Sequence, residues 1–323
     1  MVLSNRVTVF GGTGYIGREV VNALSKAGYE VNLCVRRPER YREFALYSGT
    51  KVVALTSYDE SEQLASALDG VDIVINLTAD RANGTEMVGL DELVHVNQKI
   101  KRAVEQAGVK RVLSLSQIGA SSNQESNQYL CKLGECDSLM STIASADATV
   151  FRASLIIGEN DETTQRFVKQ LNRMDLLMVA NGATVVQPIF VKDFANALVK
   201  SIKNSALFGK KVEVAGEERL TIKELGELVT EMMQKEVLVF PMCALNAKLM
   251  VMFGAFAPVA SVAASQLLML KEDMISETDF ETQFGFVPTS LESIISAYAA
   301  PHHIRERYNY YRKEAKRNAD ELV

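Results

Sequence analysis

Apolar and polar positions alternate in blocks along the first half of this chain. Residues 7–10, 30–35, 52–55, 71–77, 111–116 and 148–152 are short apolar runs of strand length. The run at 71–77 is almost continuous, as expected of a strand buried on both faces. Between the runs lie helix-period stretches at 18–26, 61–68 and 90–107, the last ending near Gly108. Strand and helix in this rhythm predict an α/β fold with a doubly wound, Rossmann-like parallel sheet and right-handed crossovers. From about Gly158 the rhythm changes. Helices are expected over 161–171, over 194–203 with Asp193 as cap, and after Thr221, where Glu224 completes a capping box. Extended segments are expected at 185–191 and 211–214. The division this suggests is a nucleotide-binding domain over 1–158, an interleaved, mainly helical lid lobe over 159–300 and a tail over 301–323.

Two late stretches depart from that pattern. Residues 249–270 carry no charge. Their length permits a membrane span, but Gly254, Pro258 and the polar Ser261, Ser265 and Gln266 favour two lid helices broken near the proline. Residues 304–317 hold six basic residues against two acids, interleaved with Tyr308, Tyr310 and Tyr311. They read as a solvated tail, or as a docking segment for anionic lipid or an acidic partner. Together the two stretches are the candidates for peripheral membrane contact.

The strongest local signal is Gly11-Gly12-Thr13-Gly14-Tyr15-Ile16-Gly17, between the first strand and the first helix. In that context Gly11 allows a tight turn, Gly14 admits a pyrophosphate and Gly17 lets the helix pack on its strand. The phosphates would rest on free N–H groups at the helix N-terminus. An NAD site usually has an acid at the end of the second strand. Here Arg36 and Arg37 stand there instead, and paired guanidinium hydrogen bonds suit a 2′-phosphate. NADP(H) is therefore the expected cofactor, with NAD(H) the alternative through Glu39 on a ribose. Ligands of such sheets lie beyond the carboxyl ends of the strands. That adds Leu77, Thr78, Ala79, Leu115 and Arg152 as candidate cofactor contacts, with Asn97 on the long helix as a backbone-bridging or water-holding residue.

Composition bounds the rest. The chain has 323 residues and is 47% apolar, enough for a sizeable core. A net charge of −5 argues against nucleic-acid binding. Cys34, Cys131, Cys136 and Cys243 show neither disulfide nor metal-site spacing, and the three histidines form no metal constellation. Reduced thiols and a polar N-terminus suit a cytoplasmic setting.

Reductases on such a sheet use a tyrosine as proton donor, a lysine one helical turn on, and a serine after the fifth strand. Tyr129, Lys132 and Ser116 are the candidates. The usual separation from tyrosine to lysine is four; here it is three, and Leu133 holds the expected slot. Both spacings share a helix face, but about 100° of rotation re-aims the lysine. Tyr129 as a pocket-lining residue is the other reading.

Several segments together resemble a family. The glycine loop at 11–17, Arg36-Arg37, Val96-Asn97 and the run at 116–120 are similar to the atypical short-chain dehydrogenase/reductases. Tyr129-Leu130 with Gly134-Glu135, the run at 151–154, Gln-Pro-Ile-Phe-Val-Lys-Asp at 187–193, the run at 212–216 and Pro288-Thr289-Ser290-Leu291 resemble one branch of it. That branch contains the nucleotide-binding accessory subunit of respiratory complex I and its bacterial relatives. The resemblance spans about residues 6–298 and implies tightly held NADPH, often structural, in a protein serving a membrane complex or quinone metabolism. The displaced lysine departs from the reductase pattern. The expectation is an accessory protein or quinone-linked oxidoreductase, cytoplasmic and peripheral to the inner face of a membrane. The alternatives are a soluble NADPH-dependent reductase or epimerase of a small carbonyl or sugar, and an NADPH-sensing module.

Overall fold

The computed structural model describes residues 3–80, 88–242 and 264–300. Six strands of the first half form the expected parallel sheet: β1 (Arg6–Phe10), β2 (Glu30–Val35), β3 (Thr50–Ala54), β4 (Ile73–Asn76), β5 (Arg111–Gln117) and β6 (Asp147–Ala153). Their order across the sheet is 3-2-1-4-5-6, and Lys211–Val214 adds a seventh parallel strand beside β6. The order reverses between β1 and β4, which opens a crevice at their carboxyl ends.

Side-chain alternation explains why both sheet faces are covered. Val7 and Val9 face one layer, with α1 (Tyr15–Lys26) and α6 (Val191–Ser201). Phe10 and Val74 face the other, with α2 (Ser61–Leu68), α3 (Leu93–Ala107) and α4 (Gln128–Ser141). On α1 the buried Ile16, Val20, Val21 and Leu24 make one helical stripe. Phe151 meets Phe194 of α6 edge to face at 6.4 Å. Arg111 is fully buried yet satisfied: it donates to the carbonyls of Ser201, Ile202 and Asp147 and so caps the end of α6.

The second half builds its own core. Phe167 and Leu171 of α5 (Thr164–Leu171) and Leu225 and Val229 of α7 (Ile222–Met232) pack with Leu177, Val179 and Ile294. Strands Leu176–Ala180 and Leu238–Met242 pair in parallel, an element the sequence pattern did not reveal.

Several boundaries move, each for a local reason. Helix α1 begins at Tyr15, not 18, because Gly14 is its N-cap and the glycine loop is already its first turn. Helix α5 begins at Thr164, not 161: the Asp161 carboxylate instead accepts the N–H groups of Thr163 and Thr164 at 2.6 Å each. Asp193 does not cap α6, which starts at Val191; its carboxylate accepts the N–H of Thr289 at 2.7 Å. The extended stretch at 185–191 divides into two short strands, Val185–Val186 and Ile189–Phe190. Thr221 and Glu224 do form the reciprocal capping box. Residues 264–269 form a helix; residues 249–263 of the uncharged stretch and the 304–317 segment lie outside the described residues. Among the described residues no helix is long and apolar enough to cross a membrane.

Candidate cofactor site

The glycine loop lies in the crevice where sequence places it. Gly11 has φ +73°, and a Cβ there would sit 2.7 Å from the Leu77 carbonyl group. A Cβ on Gly17 would sit 2.5 Å from Gly12. The first glycine thus turns the chain against the end of β4, and the last lets α1 start in contact with the loop. A methyl group at either position would have to move backbone.

Two cavities flank this loop. One, of about 230 Å³, is lined by Gly11, Thr13, Arg36, Tyr58, Asp59 and His95, among others, at the ends of β1, β2 and β3. His95 Nε2 lies 3.0 Å from Asp59 Oδ1, and Asp59 also pairs with Lys99. Hydrogen bonds from Lys99 and from His95 hold the Asp59 carboxyl below its usual range. Cys34 lies in the same wall, and burial pushes its thiol up to about 12. The second cavity, of about 60 Å³, lies on the other side of the loop. Tyr15, Ile16, Ala79, Leu115, Ser116 and Tyr129 face it. Met269 and Leu270, from the end of the 264–269 helix, close it.

A buried polar network lies at the end of β4. The Asn76 amide donates to Asn97 Oδ1 at 2.7 Å, and the Thr78 hydroxyl donates to Asn76 Oδ1 at 2.7 Å. Asn97 in turn donates to the Leu93 carbonyl at 2.8 Å. Asn97 is therefore backbone-bridging, and it fixes the loop after β4 that Gly11 packs against.

The structure brings Ser116 and Tyr129 to one cavity, but it does not bring Lys132 there. Lys132 Nζ lies 2.7 Å from Asp91 Oδ1, outside the residues that line the cavity. Arg152 is likewise turned away, onto Asp137 of α4 at 2.8 Å. Burial pushes the Asp137 carboxyl up, while the Ser116 hydroxyl and Arg152 pull it back. Arg36 lines the larger cavity, whereas Arg37 is exposed and outside that lining.

Gln117 and Asp80, which sequence reasoning passed over, line the smaller cavity together with Tyr15 of the glycine loop. Gln117 donates through Nε2 to the Met269 carbonyl at 2.9 Å, which leaves its buried Oε1 without a partner among the described residues. The Tyr15 hydroxyl is also buried and without a hydrogen-bond partner among them. Burial raises its pKa, and the nearby Asp161 carboxylate raises it further. Orphaned polar atoms beside a cavity suit a polar occupant. Asp80 accepts the N–H of Ile16 at 3.0 Å. The close packing at Gly11 and Gly17, Arg36 in the larger cavity and the two orphaned polar atoms fit a dinucleotide laid across the loop. Among the described residues no cluster of metal-ligating side chains occurs.

Comparison with known proteins agrees with the geometry. Residues 11–155 match the NAD(P)H-binding family model. The mitochondrial NADH dehydrogenase [ubiquinone] 1 alpha subcomplex subunit 9 of Arabidopsis thaliana is 28% identical over 236 residues, covering 71% of this chain and 58% of that protein. The rat protein of the same name is 26% identical over 73% of this chain and 63% of its own length. This chain thus spans about three fifths of those relatives. Among solved structures, an NADPH-dependent quinone oxidoreductase of Escherichia coli complexed with NADPH superposes with a TM-score of 0.72, over 90% of this chain and 99% of that one, at 18% identity. A triphenylmethane reductase of Citrobacter sp. complexed with NADP(H) gives 0.71, over 90% and 99%, at 18% identity. Such identities speak for the fold alone. The chain thus carries an NAD(P)H-binding segment on a Rossmann-like fold, and it resembles the atypical short-chain dehydrogenase/reductases and, among them, the nucleotide-binding accessory subunit of respiratory complex I.

Proposed function

We propose that this chain holds NADP(H) across the carboxyl edge of its sheet and serves a respiratory membrane complex as an accessory protein. The observation that carries the reading is the pair of cavities on either side of the glycine loop. The larger has room and an arginine for a phosphorylated adenosine, and the smaller lies where a nicotinamide would reach Ser116 and Tyr129. Lys132 supports a structural over a catalytic cofactor, because it answers Asp91 and not Tyr129. The 159–300 lobe would form the wall and lid of the cleft. The uncharged 249–270 stretch and the basic 304–317 segment supply surfaces for the inner face of a membrane or for a partner on it. Arg36→Ala with Arg37→Ala is expected to weaken NADPH binding roughly tenfold more than NADH binding, read by nicotinamide fluorescence. Equal losses for the two would remove the 2′-phosphate assignment.

A second reading, a quinone-linked oxidoreductase, is favoured by one observation: Ser116 and Tyr129 share a cavity with orphaned polar atoms. Bound NADPH would supply a hydride there. Tyr129 would give its phenolic proton to the substrate oxygen, Ser116 would orient that oxygen, and solvent would restore the proton. The deciding measurement is a single turnover: NADPH-loaded protein mixed with quinones and small carbonyl compounds, followed by nicotinamide absorbance. Oxidation that Tyr129→Phe slows ~10²-fold or more establishes the enzyme. Retained, unoxidised NADPH establishes the accessory role.

A further inference from the structure

The turn after β4 places an acid where the cofactor needs a cation or nothing. The Asp80 N–H donates to the Leu77 carbonyl at 2.9 Å, which closes the turn and aims the side chain back at α1. Its Oδ2 accepts the N–H of Ile16, the second residue of that helix, at 3.0 Å. The same oxygen lies 2.3 Å from where a Cβ on Gly14 would stand. The space above Gly14, left open by the missing side chain, is filled by a carboxylate. Asp80 is 7% exposed and lines the smaller cavity, beside the loop whose Gly11 and Thr13 line the larger. A helix N-terminus attracts one anion to its free N–H groups. A carboxylate on the Ile16 N–H and a phosphate oxygen on the same N–H exclude each other.

We propose that the Asp80 carboxylate and the pyrophosphate of NAD(P)H compete for the N–H groups at the start of α1, so that this residue sets cofactor affinity. The proposal rests on the reading of this chain as a dinucleotide binder. It makes Asp80 a stand-in anion: the acid completes α1 when the cofactor is absent and opposes the phosphates when it arrives.

The test uses the full chain with Asp80→Ala and Asp80→Asn, titrated with NADPH and, as a second probe, with inorganic pyrophosphate. Each protein is also melted without ligand. Removing a competing charged hydrogen bond is expected to tighten NADPH roughly tenfold or more in Asp80→Ala. Asp80→Asn, which keeps an acceptor but no charge, is expected to gain less. Ligand-free Asp80→Ala is expected to melt at lower temperature. Opposite signs in the two readouts are the signature, because a residue that merely supports the loop would lose stability and affinity together. Unchanged or weaker NADPH binding in the folded variants overturns the proposal and leaves cofactor binding intact. If wild-type and variant chains are folded and none binds NADPH, the dinucleotide reading fails and Asp80 loses its role with it. Should Asp80→Ala fail to fold, Asp80→Asn decides alone.

Discussion

At Gly17 one hydrogen stands between α1 and the loop it caps. Gly17→Ala would press a methyl group onto Gly12 backbone at 2.5 Å, and backbone cannot yield as a flexible side-chain tip can. Overpacking of that kind costs about 1–3 kcal/mol, which urea unfolding would register as a lower midpoint at unchanged slope. Asn97 is a residue of the opposite sort, wanted for what it touches. Asn97→Ala removes the acceptor of the Asn76 amide and the bridge to the Leu93 carbonyl, both buried. A loss of about 1–3 kcal/mol is expected in the same assay; a loss near zero would mean that water replaces the amide. These two residues also mark what a sequence discloses. The glycines are legible because their spacing is local. The need of Asn97 for partners is legible, but Asn76 and Thr78 are not, because the fold brings them from another element. Asp80 is illegible for the same reason: nothing in its neighbourhood along the chain announces that it will reach the end of α1.

At the scale of elements, the 264–269 helix shows how a segment of the lid is held. A helix end leaves four carbonyls without intrahelical partners. Here the carbonyls of Leu267, Leu268, Met269 and Leu270 accept from the side chains of Asn181, Asn127, Gln117 and Thr184 respectively. Three places far apart in sequence, the end of β5, the start of α4 and the turn at 181–184, thus tie down one end of the cavity wall. Asn127 has two tasks: its oxygen caps α4 by accepting from Tyr129 and Leu130, and its amide donates to Leu268. Asn127→Ser keeps an N-cap acceptor and loses the donor. Hydrogen exchange is expected to quicken at residues 267–270 while α4 stays protected; equal loosening of both would show that the cap and not the strap matters. Elements of this kind divide by the range of their determinants. The Thr221–Glu224 box was legible because both partners lie within one turn. The start of α5 was misplaced because Asp161 has the composition of a helix residue but spends its carboxylate on capping. The pairing of Leu176–Ala180 with Leu238–Met242 was invisible, since neither run has a neighbour in sequence to name its partner.

For the whole molecule, burial of ionisable groups makes the fold sensitive to base. Cys34 is pushed up to about 12, and Tyr15, Tyr29 and Tyr298 are all raised, in each case first by desolvation. The folded chain holds these protons after the unfolded chain has released them. For a group whose pKa is raised on folding, stability is fully present below the unfolded value and falls as pH rises toward the folded one. For Cys34 that window opens near the free thiol value of about 8.5 and closes near 12. Each such group removes up to about 1.4 kcal/mol per pH unit inside its window. The melting temperature is thus expected to fall between pH 8.5 and 11, and Cys34→Ala is expected to make that fall shallower. Native Cys34 should also resist a thiol-alkylating reagent at pH 8, where about one thiol in ten thousand would be ionised, while the half-buried Cys131 reacts. The two tests are linked. If Cys34 alkylates at the rate of Cys131, the wall of the larger cavity opens to water in the native state, and the alkaline slope of Cys34→Ala would then match that of the wild-type chain.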